Sequence, residues 1–312
     1  MNKFDLEKIV ETLSDNGFSF NYIENTKLNH DFQLASLKSL IDYGIYYLDG
    51  VYEEKVNEIK NSIIICSRSL ETTNNLFIVD NPQLVHYKLC AVFEKKFKFS
   101  IAKSTKINPN AIIAANVEIG ENCVVENCVI EENVIIRHNV VIEDNVIIKK
   151  NTFIDSNSVI GAGGLAWIWD SNGERVMQPQ LGGVVIEENC ILATDVTIVK
   201  GSLSENTIIG KGTVISHGTK IGHGTQISRN VHMANNVSIA GNAVIGERSF
   251  LGSACVISSN VEVGKNTIVG AGAVVSKSNS EEYTTMAGVP AKIIKRNNFE
   301  NKPNGAPKPY KY

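Results

Sequence analysis

The chain of 312 residues lacks the features of a membrane-spanning, exported or nucleic-acid-binding protein. Its longest apolar stretches, such as AIIAA at residues 111–115, fall far short of the ~18 residues that cross a bilayer. The first ten residues, MNKFDLEKIV, contain no apolar signal-peptide core. A net charge of −3 excludes a strongly basic nucleic-acid binder. We therefore expect a cytoplasmic protein with no membrane span and no nucleic-acid partner.

Proline is also scarce, with 7 residues, whereas asparagine is abundant, with 34. Asparagine is the residue after glycine that best tolerates left-handed backbone angles. Many asparagines among many valines and isoleucines therefore predict short strands joined by tight turns.

Large aliphatic residues recur every six positions along most of the chain. A helix cannot keep such a stripe on one face, since six residues advance it by about 600°. Six residues are instead three strand alternations, and the position two before each aliphatic residue is usually small. The stripe breaks at residues 161–185 and makes two five-residue steps, to Ile130 and past Leu203. Its members are Ile107, Ile113, Ile119, Val125, Ile130, Ile136, Ile142, Ile148, Ile154, Ile160, Ile186, Leu192, Ile198, Leu203, Ile209, Ile215, Ile221, Ile227, Met233, Ile239, Ile245, Leu251, Ile257, Val263, Val269 and Val275.

This pattern resembles the hexapeptide repeat of left-handed parallel β-helix proteins, in which three hexapeptides make one triangular coil. We predict a mainly β fold, with a small α/β domain at residues 1–100 followed by a left-handed β-helix at residues 101–280. The helix carries a loop insertion at 161–185, and residues 281–312 form a C-terminal tail. Four cysteines occupy the small inward position, which favours buried apolar side chains over metal ligands or disulfides. They are Cys123, Cys128, Cys190 and Cys255.

The first hundred residues lack the six-residue period. Helically spaced apolar residues from Leu6 to Leu13 end at Asn16-Gly17, a helix stop signal. Residues 62–66 and 76–79 are typical of short buried strands, and Asn81-Pro82 opens a second helix.

The insertion at residues 161–185 contains both tryptophans, Trp167 and Trp169, around a predicted turn at residues 170–173. Two interpretations stay open. Hairpins that leave a solenoid commonly carry the residues that determine substrate specificity. The tryptophans could equally cover a neighbouring subunit.

The order of parts is similar to that of the UDP-3-O-acyl-glucosamine N-acyltransferase family of lipid A synthesis. Four local matches support the resemblance: NPQLVHY, GAGG…PQLGGVVI, GSLSENTIIGKGT and IGHGTQI…NNVSIAGNAVIG. The resemblance covers nearly the whole chain except its C-terminus. It implies acyl transfer by the β-helix domain, a nucleotide-binding first domain, a nucleotide-linked amino sugar as substrate, and a homotrimer with active sites between neighbouring prisms.

The resemblance also implies roles for individual residues. The general-base histidine of the family falls on His223, and a glycine one coil later, whose N–H lies beside the acyl carbonyl, falls on Gly241. An ammonium group cannot attack a thioester, and a neutral imidazole can take its proton near neutral pH. An amide donor suits the oxyanion of the tetrahedral intermediate. The residues that sandwich the uracil fall on Tyr47 and Tyr52, although IYYLDGVYEE also fits a packed turn.

Three departures from the family concern the donor and the substrate. A second family histidine is replaced by Asn260, and the family's Asp-Arg-Gly by residues 199–201, Val-Lys-Gly. The C-terminal segment AGVPAKIIKR resembles the ending of acetyl-CoA-dependent sugar acetyltransferases. Within it we assign Gly288 and Lys292 to donor binding, and Lys295 and Arg296 could meet the phosphates of coenzyme A.

The main hypothesis is therefore an acyl-CoA-dependent N-acyltransferase, using acetyl-CoA or another short acyl-CoA, that acts on a nucleotide-linked amino sugar for surface glycan synthesis. No metal is expected. One alternative is the lipid A pathway N-acyltransferase itself, with an acyl carrier protein as donor. Another is a zinc enzyme like the γ-type carbonic anhydrases, which bind zinc across a subunit interface, with His217, His223 and His232 as candidate ligands. The last is a structural solenoid without catalysis, in which His217 and His223 are solvated residues beside turns.

Overall fold

A computed structural model describes residues 3–48, 50, 53–94 and 100–296. The chain divides into two compact units, Met1–Lys96 and Phe97–Tyr312.

The first unit is a six-stranded sheet with two α-helices and a short 3₁₀ helix. Its elements are β1 (Lys3–Phe4), α1 (Leu6–Asp15), β2 (Asn21–Ile23), β3 (Phe32–Leu34), β4 (Gly44–Tyr47), the 3₁₀ helix (Glu53–Glu58), β5 (Ile63–Cys66), β6 (Asn75–Ile78) and α2 (Pro82–Ala91). The strand order is β1-β3-β4-β5-β6-β2, in which β3 to β6 run parallel and the pairs β1–β3 and β2–β6 are antiparallel.

α1 ends, and α2 begins, where the sequence signals lie. The Asp5 carboxylate accepts the Lys8 N–H at 2.7 Å, and the Asn81 side chain accepts the Leu84 N–H at 3.0 Å, so each helix has a polar N-cap. After α1 the chain turns at Gly17, whose φ of +71° suits glycine. Strand β5 is buried along its whole length, as its apolar run predicts.

The second unit is a prism of three sheets, parallel except for its last strand pair, and it carries a separate two-stranded antiparallel hairpin. Its strands are β7 (Lys106–Ile107), β8 (Ile112–Ile113), β9 (Glu118–Ile119), β10 (Val124–Val125), β11 (Val129–Ile130), β12 (Ile135–Ile136), β13 (Val141–Ile142), β14 (Val146–Ile148), β15 (Phe153–Ile154), β16 (Val159–Ala162), β17 (Trp167–Trp169), β18 (Arg175–Met177), β19 (Gly183–Ile186), β20 (Ile191–Leu192), β21 (Thr197–Val199), β22 (Asn206–Ile209), β23 (Val214–Ile215), β24 (Lys220–Ile221), β25 (Gln226–Ile227), β26 (His232–Met233), β27 (Ser238–Ile239), β28 (Val244–Ile245), β29 (Phe250–Leu251), β30 (Val256–Ile257), β31 (Glu262–Val263), β32 (Ile268–Val269), β33 (Val274–Val275), β34 (Thr284–Ala287) and β35 (Lys292–Arg296).

Successive strands enter the ten-stranded, nine-stranded and eight-stranded sheets in turn, so that each coil of three strands stacks on the one before. The nine-stranded sheet has the order β33-β30-β27-β24-β21-β16-β13-β10-β7. The eight-stranded sheet runs β31-β28-β25-β22-β19-β14-β11-β8 and the ten-stranded sheet β35-β34-β32-β29-β26-β23-β20-β15-β12-β9. This is the predicted left-handed parallel β-helix.

The six-residue stripe forms the prism core. From Ile119 to Val275 every stripe residue except Leu203 is buried, and the small slots are buried too. Hydroxyl groups in those slots are satisfied by the backbone, as when Thr225 donates to the Gly222 carbonyl at 2.8 Å. The four slot cysteines are free thiols, and burial raises the pKa of Cys190 to about 11 and that of Cys255 to about 12.

Asparagine makes most corners of the prism, as its abundance predicts. These residues have φ between +53° and +65°, which asparagine adopts at lower cost than other side chains. They are Asn122, Asn133, Asn139, Asn145, Asn151, Asn157, Asn189, Asn230, Asn236, Asn242, Asn260 and Asn266.

Two members of the predicted stripe lie at the surface. Ile107 is 37% exposed because its strand, β7, ends the nine-stranded sheet and is covered on one side only. Leu203 is 51% exposed because residues 200–205 leave the prism as a loop instead of making a strand. None of the helices in the described residues is long and apolar enough to cross a bilayer.

Candidate active site

Three consecutive turns of the prism carry irregular structure at the same corner. This corner, where the chain passes from the nine-stranded to the eight-stranded sheet, is called here the His223 corner. After β16 the chain leaves as the hairpin of β17 and β18, after β21 it makes the loop at 200–205, and after β24 it places His223. Since β16, β21 and β24 are neighbours in one sheet, the three features are stacked.

His223 is half-buried, and its two ring nitrogens face different parts of the corner. Nδ1 lies 3.1 Å from the Ser202 hydroxyl oxygen, which belongs to the loop below. On the opposite side the ring rests against Gly241, in the coil above. A Cβ built on Gly241 would lie 2.5 Å from Nε2, so glycine is needed here for close approach. The Asn242 N–H donates to the His223 carbonyl at 2.8 Å and ties the two coils together.

The Gly241 backbone is hydrogen-bonded on one side only. Its carbonyl accepts the Asn260 N–H at 3.0 Å, while its own N–H donates to no acceptor within the described part of the chain. A backbone N–H without an acceptor is a suitable donor for an oxyanion. The structure therefore brings His223 and Gly241 together, and their catalytic roles stay predictions.

The loop at 200–205 is held by hydrogen bonds at several points. Glu205 Oε1 accepts the Ser202 N–H at 2.6 Å, and Oε2 accepts the Leu203 N–H at 3.1 Å. Hydrogen bonds from the backbone N–H groups of Glu205, Ser202 and Leu203 lower the pKa of the Glu205 carboxyl. The electrostatic interaction with His223 lowers it further. The sequence reasoning missed Ser202 and Glu205. Their signal was the eleven-residue interval between Ile198 and Ile209, which is one repeat plus a five-residue insertion.

The base of the hairpin fixes the same loop from below. The Leu181 N–H donates to the Ser202 carbonyl at 3.0 Å, and the Gly182 N–H donates to the Gly201 carbonyl at 3.1 Å. A Cβ on either Gly182 or Gly201 would collide with the Glu205 carbonyl oxygen. The backbone of the loop is therefore packed closely against the backbone of the hairpin base.

The hairpin itself turns at residues 170–173, as predicted, with Asp170 accepting the Asn172 N–H at 2.8 Å. Its rings form a compact group at the surface. Trp167 and Trp169 meet edge to face with centroids 5.0 Å apart, and the Arg175 guanidinium lies 5.0 Å from the Trp167 ring. Both tryptophans are about half exposed in the single chain, so specificity and subunit contact both stay open.

The other two histidines of the zinc hypothesis lie elsewhere. His217 is exposed at the corner after the ten-stranded sheet, where its Nδ1 lies 2.8 Å from the Thr194 hydroxyl. His232 lies within β26, its ring 5.3 Å from that of Phe250, and burial lowers its pKa. In the residues that the structure describes, no three His, Cys, Asp or Glu side chains come together as metal ligands.

The predicted donor residues occupy the end of the prism. Gly288 follows β34 with φ of +98°, and Lys292 is exposed at the start of β35. Along the ten-stranded sheet, β34 lies four rungs from β23, the strand of the His223 coil in that sheet. Four rungs are ~19 Å. A single chain therefore does not bring Gly288 and Lys292 to His223, and their assignment to the donor stays a prediction.

Of the two predicted base-stacking residues, Tyr52 lies outside the described residues. Tyr47 ends β4, half-buried against the core of the first unit, with its ring 5.1 Å from that of His86. Burial lowers the pKa of His86, which favours its neutral form. Asn260, which replaces a family histidine, serves as an ordinary left-handed corner residue, with φ of +59°.

Comparison with known proteins supports the repeat directly. The bacterial transferase hexapeptide family (six repeats) matches residues 127–162 and 242–277. The chain is also 33% identical over 98 residues to the UDP-3-O-acylglucosamine N-acyltransferase of Acinetobacter baylyi. That match covers 30% of this chain and 28% of the relative, so the chain aligns with less than a third of the curated relative's length.

Solved structures of UDP-N-acetylglucosamine acyltransferases share the fold. The enzyme of Moraxella catarrhalis has a TM-score of 0.58 at 24% identity, over 63% of this chain and 74% of that one. The enzyme of Francisella novicida has a TM-score of 0.55 at 27% identity, over 62% and 68% respectively. The chain is thus a hexapeptide-repeat protein with a left-handed parallel β-helix. The two relatives just named with at least 25% identity to this chain are acyltransferases.

Proposed function

We propose that the protein is an acyltransferase that moves an acyl group from a thioester to a UDP-linked derivative of glucosamine. The observation that carries the proposal is the pairing of His223 and Gly241 at one corner, with the imidazole Nε2 against the Gly241 backbone. Acyl transfer to an amine requires a base and an oxyanion donor, and the Gly241 N–H donates to no acceptor in the described part of the chain.

The reaction follows from these two groups. Nε2 of His223 removes a proton from the acceptor amine while the amine nitrogen attacks the thioester carbon. The Gly241 N–H stabilises the negative oxygen of the tetrahedral intermediate. When the C–S bond breaks, the imidazolium returns the proton to the departing thiolate, so the products are an amide and a thiol.

The acceptor in this proposal is narrower than the nucleotide-linked sugar expected from the sequence. The homologous proteins are named for UDP-3-O-acylglucosamine and UDP-N-acetylglucosamine, which supports a UDP-glucosamine derivative. The first unit is the proposed nucleotide-binding part, with Tyr47 as a stacking residue.

The proposed donor differs from the main one expected from the sequence. Homology to UDP-glucosamine acyltransferases supports the alternative, an acyl carrier protein thioester, more than acetyl-CoA or another short acyl-CoA. Acyl-CoA is kept as the second candidate because residues 284–296 form the hairpin of β34 and β35, with Lys292 and Lys295 exposed. The described side chains of one chain form no metal-ligand cluster, and the zinc alternative, whose ligands would come from neighbouring subunits, is not proposed. We propose a homotrimer, as the resemblance implies.

A thiol-release assay tests the function and separates the donors. The purified protein is given hydroxyacyl carrier protein or acetyl-CoA, each with UDP-3-O-acylglucosamine, which has a free amine, or with UDP-N-acetylglucosamine, which does not. We expect turnover with the carrier protein and the free amine. Turnover with acetyl-CoA alone would reinstate the first hypothesis, and no turnover with either UDP-sugar would contradict the proposed function.

A further inference from the structure

The structure places the Ser202 hydroxyl oxygen 3.1 Å from Nδ1 of His223. We propose that Ser202 is a positioning residue: its oxygen accepts the Nδ1–H of His223 and thereby keeps the lone pair on Nε2, facing Gly241. This inference rests on the proposed function, since it supposes that Nε2 is the base.

The direction of the hydrogen bond follows from the chemistry of the ring. A neutral imidazole carries one hydrogen, on Nδ1 or on Nε2. A ring that removes a proton with Nε2 must hold its hydrogen on Nδ1, and a hydroxyl oxygen 3.1 Å from Nδ1 accepts it. The same bond fixes the ring rotation, so that Nε2 stays beside Gly241.

The Ser202 hydroxyl can do this because the backbone that carries it is tied on both sides. Its N–H donates to Glu205 Oε1 at 2.6 Å, and its carbonyl accepts the Leu181 N–H at 3.0 Å. The preceding residue, Gly201, donates to the Gly183 carbonyl at 3.0 Å. A hydroxyl on such a loop is pre-organised, so little entropy is lost when it orients the ring.

The five-residue insertion after Ile198 therefore serves to position Ser202. It lengthens one corner so that Ser202 meets His223 from the coil below. The prism contains a similar pair one corner away, where the Thr194 hydroxyl lies 2.8 Å from Nδ1 of His217. His217 has no assigned part in the reaction, so this pair is a matched control.

The experiment compares Ser202→Ala, Ser202→Thr and Thr194→Ala in the full-length protein. Nitrogen-15 NMR of the imidazoles reports which ring nitrogen of His223 carries the hydrogen, with His223→Ala used to assign the signals. Steady-state kinetics give kcat and KM. Because the NMR measurement needs no substrate, it tests the hydrogen bond even if the proposed reaction is wrong.

For Ser202→Ala we expect a shift of the His223 tautomer away from Nδ1–H and a fall in kcat of about tenfold, the worth of one hydrogen bond, with KM changed less than about twofold. Ser202→Thr should restore both values, and Thr194→Ala should alter neither. An unchanged His223 tautomer in Ser202→Ala would overturn the proposal. So would an unchanged kcat in Ser202→Ala while His223→Ala loses activity, because Ser202 would then not act through the base.

Discussion

Replacing Gly241 with alanine should damage the reaction without damaging the fold. The new Cβ would lie 2.5 Å from Nε2 of His223 and 2.8 Å from both Cδ2 and Cε1, and these ring atoms are its three nearest neighbours. The φ angle of Gly241 is not in the left-handed region, so alanine fits the backbone. The clash therefore falls on a side chain that can rotate away.

The size of the effect follows from these distances. Carbon contacts settle at about 3.5 Å, so the ring must move by about 1 Å. A misplacement of about 1 Å at a reacting group costs about 10²-fold in rate. We expect Gly241→Ala to lower kcat by about 10²-fold in the thiol-release assay, while the melting temperature falls by less than about 3 °C.

Two controls identify the cause. In a His223→Ala background the ring is absent, so adding Gly241→Ala should change kcat no further. Gly222→Ala should instead lower the melting temperature, because its Cβ would lie 2.6 Å from the Gly241 nitrogen and 2.8 Å from the Ala240 carbonyl carbon, which are backbone atoms. A folded Gly241→Ala protein that keeps kcat within about threefold of wild type would refute the reasoning.

Three further predictions follow from the same structure. His223→Ala should lower kcat by ~10²–10⁴ with little change in KM, whereas His217→Ala and His232→Ala should lower kcat much less. A fall in kcat of less than about fivefold in His223→Ala would show that His223 is not the base. Sedimentation should give three times the 34.1 kDa chain mass, and a stable monomer would contradict the proposed homotrimer. Burial lowers the pKa of His232, so the unfolded chain binds this proton more readily and the folded state loses stability as pH falls below about 6.5. His232→Gln should therefore show a smaller drop in melting temperature between pH 7 and pH 5 than wild type, and equal drops would show that His232 does not contribute.

The prism was readable from the sequence because its structure is local and repeated. Each coil presents the same requirement, a large aliphatic residue inward, a small residue two positions before it, and a left-handed corner. Ile221, Thr219 and Asn242 are one example of each. Such a pattern recurs often enough to be seen without any knowledge of contacts between distant parts of the chain.

Leu203 shows where the same reasoning failed. An aliphatic residue five positions after Ile198 fits the stripe, yet Leu203 is exposed on a loop. The sequence there allows either a short repeat or an insertion, and only the pairing of β22 with β19 and β25 decides between them. Parallel pairing between coils aligns Val185 with Ile208 and leaves residues 200–205 outside the sheet.

The sequence by itself determined the architecture of this protein: a solenoid with a six-residue repeat, an α/β unit before it and an insertion at residues 161–185. It also placed His223 and Gly241 eighteen residues apart, which is one coil, so their contact could be expected from the period. Only the tertiary structure decided that Ser202 meets Nδ1 of His223, and that Gly288 and Lys292 lie several rungs away in the same chain. The physical reason is that a periodic strand pattern specifies which side chains point inward, whereas the path of an inserted loop is set by hydrogen bonds to neighbouring coils.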